Sequence, residues 1–517
     1  MDDTADSAGG DRQAGTGTAD TGAADTGAAP LAGDLLIRDV VLYAGDGAPP
    51  VRQDLAVRGG RIAAIGPDLP GAFAEVIEGA GRALAPGFID VHTHDDAVAL
   101  KPGAMRPKLS QGVTCVVTGN CGISLAPALP EGLAAPVPPL DLLGGAEAYA
   151  FPRMADYIGA LRAAGPDLHV VPLVGHTVLR VRAMGTDLDR PATPAEIDAM
   201  RADLADALRA GAVGLSTGLA YPPARHAATD EIEALVADVA AAGRLWTTHM
   251  RDERSGVVSA VAETLDIARR TGARVLISHH KCCGEASFGL SRTTLQMIAV
   301  ARREIAVDLD VYPYTASSTV LNPVFARDSR RVTVSWSEPH PEAAGRDLHE
   351  IAAEWGLGEA EALDRLKPGG AIYHQMDEAD LRRILAYGPS LVGSDGLPRD
   401  RRPHPRLWGT FPRVLGHYAR DEGLFPLETA IAKMTGQTAA VLGLTDRGRL
   451  APGYAADLVL FDPDTIADAA SYADPARPSL GIERVWVGGR VAFSGGDMAT
   501  PGAGRILAAE PQPSAAA

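Results

Sequence analysis

The feature that most constrains this chain is an alternation that runs through its middle, where short apolar runs are each followed by an amphipathic stretch. Eight runs stand out: GFIDVH (87 to 92), GVTCVV (112 to 117), HVVPLV (169 to 174), AVGLST (212 to 217), LWTTHM (245 to 250), RVLISH (274 to 279), IAVDLDVY (305 to 312) and SLVGSD (390 to 395). Apolar runs of this length separated by helix-length segments are the βα signature of a parallel sheet. The intervening helices are signalled locally. Thr193, Pro194, Ala195 and Glu196 form a capping box with proline at the first helical position, then Ile197, Met200, Leu204 and Leu208 share one stripe and Gly211 stops the helix. Thr229 opens a second helix that closes at Gly243. Eight βα units predict an α/β fold built on a (β/α)8 TIM barrel, whose chemistry sits at the C-terminal ends of its strands.

The flanks have a different texture. From Asp34 the runs LLIRDVVLY and DLAVRGGRIAAIG alternate in strand fashion about Gly59-Gly60, and the far end repeats this in ADLVLFD (456 to 462) and ERVWVGGRVAFSGG (483 to 496) about Gly488-Gly489. Both chain ends are therefore expected to build one small β-sandwich, from residues 34–85 and 445–517, around a barrel at 86–444. The interval from about 316 to 378 is far too long for an ordinary crossover and is predicted to be an inserted lid segment. Residues 1–33, with six Asp against Arg12, bury too little apolar area to offset chain entropy and read as a disordered acidic tail.

A net charge of −17 repels phosphate backbones and acidic membrane surfaces, which excludes nucleic acid and membrane as expected partners. The chain has no uninterrupted apolar run of about 18 residues, and its opening lacks the basic-then-apolar pattern of a secretory signal. A soluble cytoplasmic protein acting on a small molecule is expected, with its oligomeric state left open. Four cysteines without a CxxC pair read as reduced thiols or a ligand.

His92 and His94 end the first run, and a strand period of two turns both imidazoles to one face, where they can meet one metal ion or simply hydrogen-bond. Cys121 lies just past the second run, either a soft metal donor or a small buried hydrophobe. Cys115, six residues earlier, sits about 20 Å lower at ~3.3 Å per residue and cannot share a site at the mouth. Cys282 and Cys283 are adjacent and read as packing. His249 ends the fifth run and His279 the sixth, while His176 after the third is left to packing or support. Asp395 closes the eighth, where a carboxylate can bind metal, take a proton or cap a helix. Independent structural roles would seldom place all these groups at one end of a barrel. Several N, S and O donors around an open position imply a metal that makes hydroxide near neutral pH, with Asp395 as base, and hence a metal-assisted hydrolase.

At this point the sequence resembles the amidohydrolase superfamily, and within it the D-aminoacylase (N-acyl-D-amino-acid deacylase) family, from residue 34 to about 500. The resemblance is carried by APGFIDVHTHDD (85 to 96), GNCGISLAP (119 to 127), GLSTGLAYPP (214 to 223), THMRDE (248 to 253), ISHHK (277 to 281), VYPYTASS (311 to 318), GSDGLP (393 to 398), PHPRLWGTFPRVLG (403 to 416) and GRLAPGYAADLVLFD (448 to 462). It implies zinc held tightly by Cys121, His249 and His279, a weaker second position at His92, His94 and Asp395, and Asp395 as catalytic base. Many superfamily members bridge two metals with a lysine on the fourth strand; this chain has no lysine near 212–217, and Cys121 takes that place. The resemblance further implies carboxylate recognition by Lys281, Tyr312, Ser318 and Arg383, and a side-chain pocket at Tyr373 and Met376. The activity implied is hydrolysis of N-acyl-D-amino acids. Opening of a cyclic imide or small peptide at the same metal is the nearest rival, and a metal-free scaffold on the same fold is a more distant one. The D configuration comes from the resemblance alone.

Overall fold

Two Gly-Gly pairs set the hairpins of the flanking sheet. At Gly59-Gly60 and Gly488-Gly489 both residues are left-handed, with φ of 58° and 73° and of 57° and 78°, a combination only glycine adopts freely and one whose twist matches that of the paired strands. They join Val51–Arg58 to Arg61–Gly66 and Ile482–Val487 to Arg490–Ser494. The structure is a computed structural model describing residues 31–133 and 135–507. Both chain ends enter one continuous nine-stranded sheet, joined where Ala83–Pro86 pairs antiparallel with Leu458–Phe461. Its core includes Leu35, Ile37, Leu55, Leu84, Leu458 and Trp486. The tail expected at 1–33 lies outside the described residues except for its last three. These belong to the strand Leu31–Leu42 and pair with Gly71, Ala72 and Phe73, so the boundary moves to 31. Ala32 and Gly33 carry no apolar alternation, which is why their backbone pairing left no mark in the sequence.

All eight expected central strands form: Phe88–Asp90, Val113–Thr118, His169–Pro172 continued by Val174–Gly175, Gly214–Gly218, Leu245–His249, Arg274–Ile277, Val307–Val311 and Ser390–Val392. Neighbours pair in parallel and in sequence order throughout. The first and last meet beyond their ends, where Thr93 bridges Gly396 in parallel and the Asp395 amide donates to the His92 carbonyl at 2.7 Å. The helix Pro194–Ala210 starts in the expected capping box, with Thr193 Oγ1 accepting from the Glu196 amide, and ends at Gly211 with φ 118°. Among the described residues no helix is long and apolar enough to cross a membrane.

The insertion is more than a loop. Ala316–Val320, Gly369–His374 and Arg331–Ser337 make an antiparallel sheet, and helices Leu348–Trp355 and Glu359–Arg365 close a core of its own around Phe325, Val334, Ile351, Leu363 and Tyr373.

Sheet and central strands are joined by a buried polar clamp. Asp457 accepts from His169 Nε2 at 2.9 Å, from the Gly488 amide at 2.7 Å and from Arg447 at 2.5 Å. Burial works against its charge, yet His169 and Arg447 outweigh it and hold the carboxyl at about 2. A depressed folded pKa stabilises above the unfolded value of about 3.9, and that contribution is lost as pH falls from there through 2. Asp457→Ala strands buried donors and is expected to cost about 3 to 5 kcal/mol in urea unfolding at pH 7. It should also flatten the acid limb of the stability curve below pH 4.

Candidate active site

Five of the eight central strands deliver the chemistry, at their last residue or a few residues past it. His92 and His94 follow Phe88–Asp90, Cys121 follows Val113–Thr118, His249 ends Leu245–His249, His279 follows Arg274–Ile277 and Asp395 follows Ser390–Val392. All six are buried. Three of them, Cys121, His279 and Asp395, have left-handed backbones with φ of 55°, 36° and 50°. Such conformations cost about 1 to 3 kcal/mol each in a non-glycine residue and persist only where surrounding contacts over-determine them. Those contacts are present. The His279 amide donates to Asp310 Oδ1 at 2.9 Å, and Ser216 Oγ bonds the main chain on both sides of Cys121, at Gly119 and Gly122.

The side chains converge on one point. Cys121 Sγ lies 3.2 Å from His92 Nε2 and 3.3 Å from His279 Nε2. Asp395 Oδ1 lies 3.3 Å from His94 Nε2 and 3.7 Å from His92 Nε2. The His249 ring stands edge-on to that of His279 with centroids 4.5 Å apart. Burial disfavours the Cys121 thiolate, but the facing His92 and His279 rings outweigh it and hold the thiol well below its ordinary range. Burial likewise opposes a charged His94, and Asp395 and Cys121 raise it to about 9. Asp395 is held well below the usual carboxylate range because Arg406 and His94 overcome its desolvation.

Three overlapping trios place one donor atom each within 4.8 Å of the others: His92, Cys121 and His279; His92, His94 and Asp395; His249, Glu253 and His279. A thiolate with imidazoles is a donor set suited to zinc, and a carboxylate with two imidazoles suits a second divalent ion. The strand Gly214–Gly218 carries no lysine. Cys115 packs among Ile89, Val117 and Val171, its thiol pushed up to about 12 by burial, and Cys282 and Cys283 are buried free thiols. His176 is held by Glu231 at 2.8 Å.

The six residues expected to bind substrate divide. Tyr312 Oη and Ser318 Oγ are buried without a hydrogen-bond partner. Lys281 is buried too, its ammonium committed to Glu253 Oε1 at 2.6 Å and the His279 carbonyl at 2.8 Å. Met376 lines a small enclosed space with Lys281 and Tyr312. Tyr373 sits in the insertion core, its hydroxyl donating to the Val320 carbonyl and accepting from the Asn322 amide. Arg383 is not brought to the cluster: its guanidinium is tied to Asp380 on its own helix and to Ser291.

The guanidinium that does reach the cluster is that of Arg406. It is fully buried, its NH1 3.0 Å from Asp395 Oδ2, its NH2 donating to the Ser318 carbonyl at 3.0 Å and its plane 4.6 Å over the Tyr312 ring, with Nε making no hydrogen bond. Glu253 was also missed; it faces His279 Nδ1 at 3.0 Å and His249 Nε2 at 3.5 Å. Its signal in the sequence was a carboxylate four residues after a strand-ending histidine.

Residues 75–281 and 342–493 match the profile of the Amidohydrolase family. A D-aminoacylase from Alcaligenes xylosoxydans xylosoxydans is 51% identical over 476 residues, 92% of this chain and 97% of that protein. A solved D-aminoacylase structure, concerned with a binuclear metal centre showing one-metal activation and second-metal attenuation, is 50% identical with a TM-score of 0.88, covering 92% of this chain and 99% of that one. N-acyl-D-glutamate deacylase from Bordetella bronchiseptica, complexed with zinc and a phosphonate mimic of the tetrahedral intermediate, is 46% identical with a TM-score of 0.88 over the same shares.

Cys121→Ala is expected to lose its tightly held zinc on purification, because the thiolate is the one soft donor of the three trios and its removal leaves only imidazoles and carboxylates. Cys115→Ala should keep it. Metal analysis of both variants checks this, and a full zinc complement in the Cys121 variant overturns the assignment.

Proposed function

The chain belongs to the amidohydrolase family, in its D-aminoacylase branch, and from that premise we propose that it hydrolyses the acyl amide of N-acyl-D-amino acids to a carboxylate and a free D-amino acid. One observation carries this reading: a metal-ligand set and a group of unpartnered donors share a single buried site. Cys121, His249 and His279 would hold zinc tightly, and His92, His94 and Asp395 a second, weaker and attenuating ion. When bound, zinc supplies the Lewis acidity that polarises an amide carbonyl and makes water nucleophilic near neutral pH.

The remaining work falls to the chain. Asp395 is ionised, and Arg406 holds its Oδ2, leaving Oδ1 to take the proton of the attacking water and return it to the leaving nitrogen. Arg406 Nε, Tyr312 Oη and Ser318 Oγ are buried donors that make no hydrogen bond, and the guanidinium charge beside them completes a set that matches the substrate's free carboxylate. Lys281 adds positive charge from its seat on Glu253. Met376 would flank the substrate side chain. The D configuration rests on the relatives.

The setting follows from the same reading. The parallel strands would close as a (β/α)8 barrel at about 86–444, carrying the insertion at 316–378 as a cover, with 34–85 and 445–517 as a satellite β domain. The unpaired thiols fit a cytoplasmic protein.

The zinc-loaded protein is expected to release free amine from N-acetyl-D-amino acids and not from their L enantiomers; turnover of the L series alone contradicts the proposal. Asp395→Asn keeps the shape and cannot accept the proton. It should fold and retain zinc at the Cys121 position, with turnover reduced at least about a hundredfold. Near-normal turnover would remove Asp395 from the role of base.

A further inference from the structure

The seam between the first and last parallel strands contains a lysine that the reaction does not use. Lys108, on the short helix Arg106–Leu109, is fully buried. Its ammonium donates to Asp90 Oδ2 at 2.8 Å and to Ser394 Oγ at 2.6 Å, and it lies 3.4 Å from Asp95 Oδ2. An ammonium has three donors, and each has an acceptor here. Asp90 Oδ1 in turn accepts the amides of Ser394 at 2.8 Å and His92 at 3.3 Å. Ser394 Oγ donates back to Asp90 Oδ2 at 2.6 Å. Asp95 Oδ2 accepts from Thr93 Oγ1 at 2.7 Å.

These partners flank all three members of one trio, His92, His94 and Asp395, of which only His92 also faces Cys121. Asp90 is two residues before His92, Asp95 one after His94, and Ser394 one before Asp395. None is a neighbour in sequence of Cys121, His249 or His279. The His94 ring lacks a brace of its own, since its Nδ1 makes no hydrogen bond, and His92 Nδ1 has only the distant Asp310 Oδ2 at 3.5 Å. Imidazoles at a metal are usually oriented by a partner on the second nitrogen. Here the main chain shares that work, and Lys108 anchors the carboxylate of Asp90 that holds the Ser394 and His92 amides.

We propose that Lys108 is a positioning residue whose ammonium, through Asp90, Asp95 and Ser394, sets the spacing of His92 and His94 against Asp395 and so builds the second metal position without touching it. This rests on reading that trio as a metal position. An ordinary buried ion pair would stabilise the fold and leave ion binding alone; a positioning clasp governs one ion and not the other. Its removal is therefore expected to weaken the second ion by about 10- to 100-fold, the usual effect of losing a supporting partner, while the first ion stays.

The experiment is a calorimetric titration with zinc of protein already carrying one zinc per chain, comparing the wild type, Lys108→Met and Ser394→Ala. Ser394→Ala removes one acceptor and keeps all three charged groups, so it gives an answer even if Lys108→Met does not fold. Selective weakening of the second ion in a folded variant, with the first retained by metal analysis, is the expected result. A variant that unfolds more readily yet binds the second zinc with wild-type affinity overturns the clasp. A wild-type protein that takes up no second zinc overturns the metal reading of the trio itself, an outcome distinct from failure of the clasp alone.

Discussion

A sulfur atom buried to 1% exposure and ringed by imidazole nitrogens is the constraint on which the rest of this molecule depends. Burying a thiolate away from water is expensive unless positive charge compensates it, and a thiol among ordinary apolar neighbours stays protonated, as Cys115 does with its value pushed up to about 12. Cys121 is the exception because strands from distant parts of the chain bring His92 and His279 to within 3.3 Å of it. A zinc ion resolves the same electrostatic problem more completely, which is why a thiolate, several imidazoles and a carboxylate at one place read as a metal centre.

The scaffold exists to hold that convergence. Parallel strands in sequence order place their ends on one side, but a strand end aims a side chain only roughly, and the final aim comes from left-handed turns at Cys121, His279 and Asp395. Each turn is held by hydrogen bonds from a neighbouring strand: Ser216 at the cysteine, Asp310 at the histidine, and the His92 carbonyl at the aspartate. At the opposite end the two-ended sheet clips to the third strand through Asp457 and His169. Stability and chemistry are thus placed at different ends of the same strands.

The parts of this arrangement that follow a period were legible in the sequence. His92, Cys121, His249, His279 and Asp395 could be found because each ends or follows an apolar run, and so could the hairpins and the capping box at Thr193. The residues that were missed have no period. Arg406 meets Tyr312 from almost a hundred positions away, Lys108 meets Ser394 across 286, and Glu253 meets Lys281 across 28. Nothing local separates a buried arginine in PHPRLWG from one on an amphipathic helix, so the sequence does not single out Arg406 over Arg383 as the one that reaches the cluster. Tyr373 poses a related problem: in sequence, an aromatic residue that packs in the core of an insertion looks the same as one that faces a ligand.

The central claim is that the strand ends form one zinc centre with Cys121 as the ligand that makes it. Anomalous diffraction at the zinc absorption edge from crystals of the purified protein tests it most directly. The expected result is a peak bonded to Cys121 Sγ at about 2.3 Å, with imidazole nitrogens of His249 and His279 at about 2.0 to 2.1 Å. A zinc peak that leaves Cys121 uncoordinated, or a protein that binds none while hydrolysing its substrate, would contradict it.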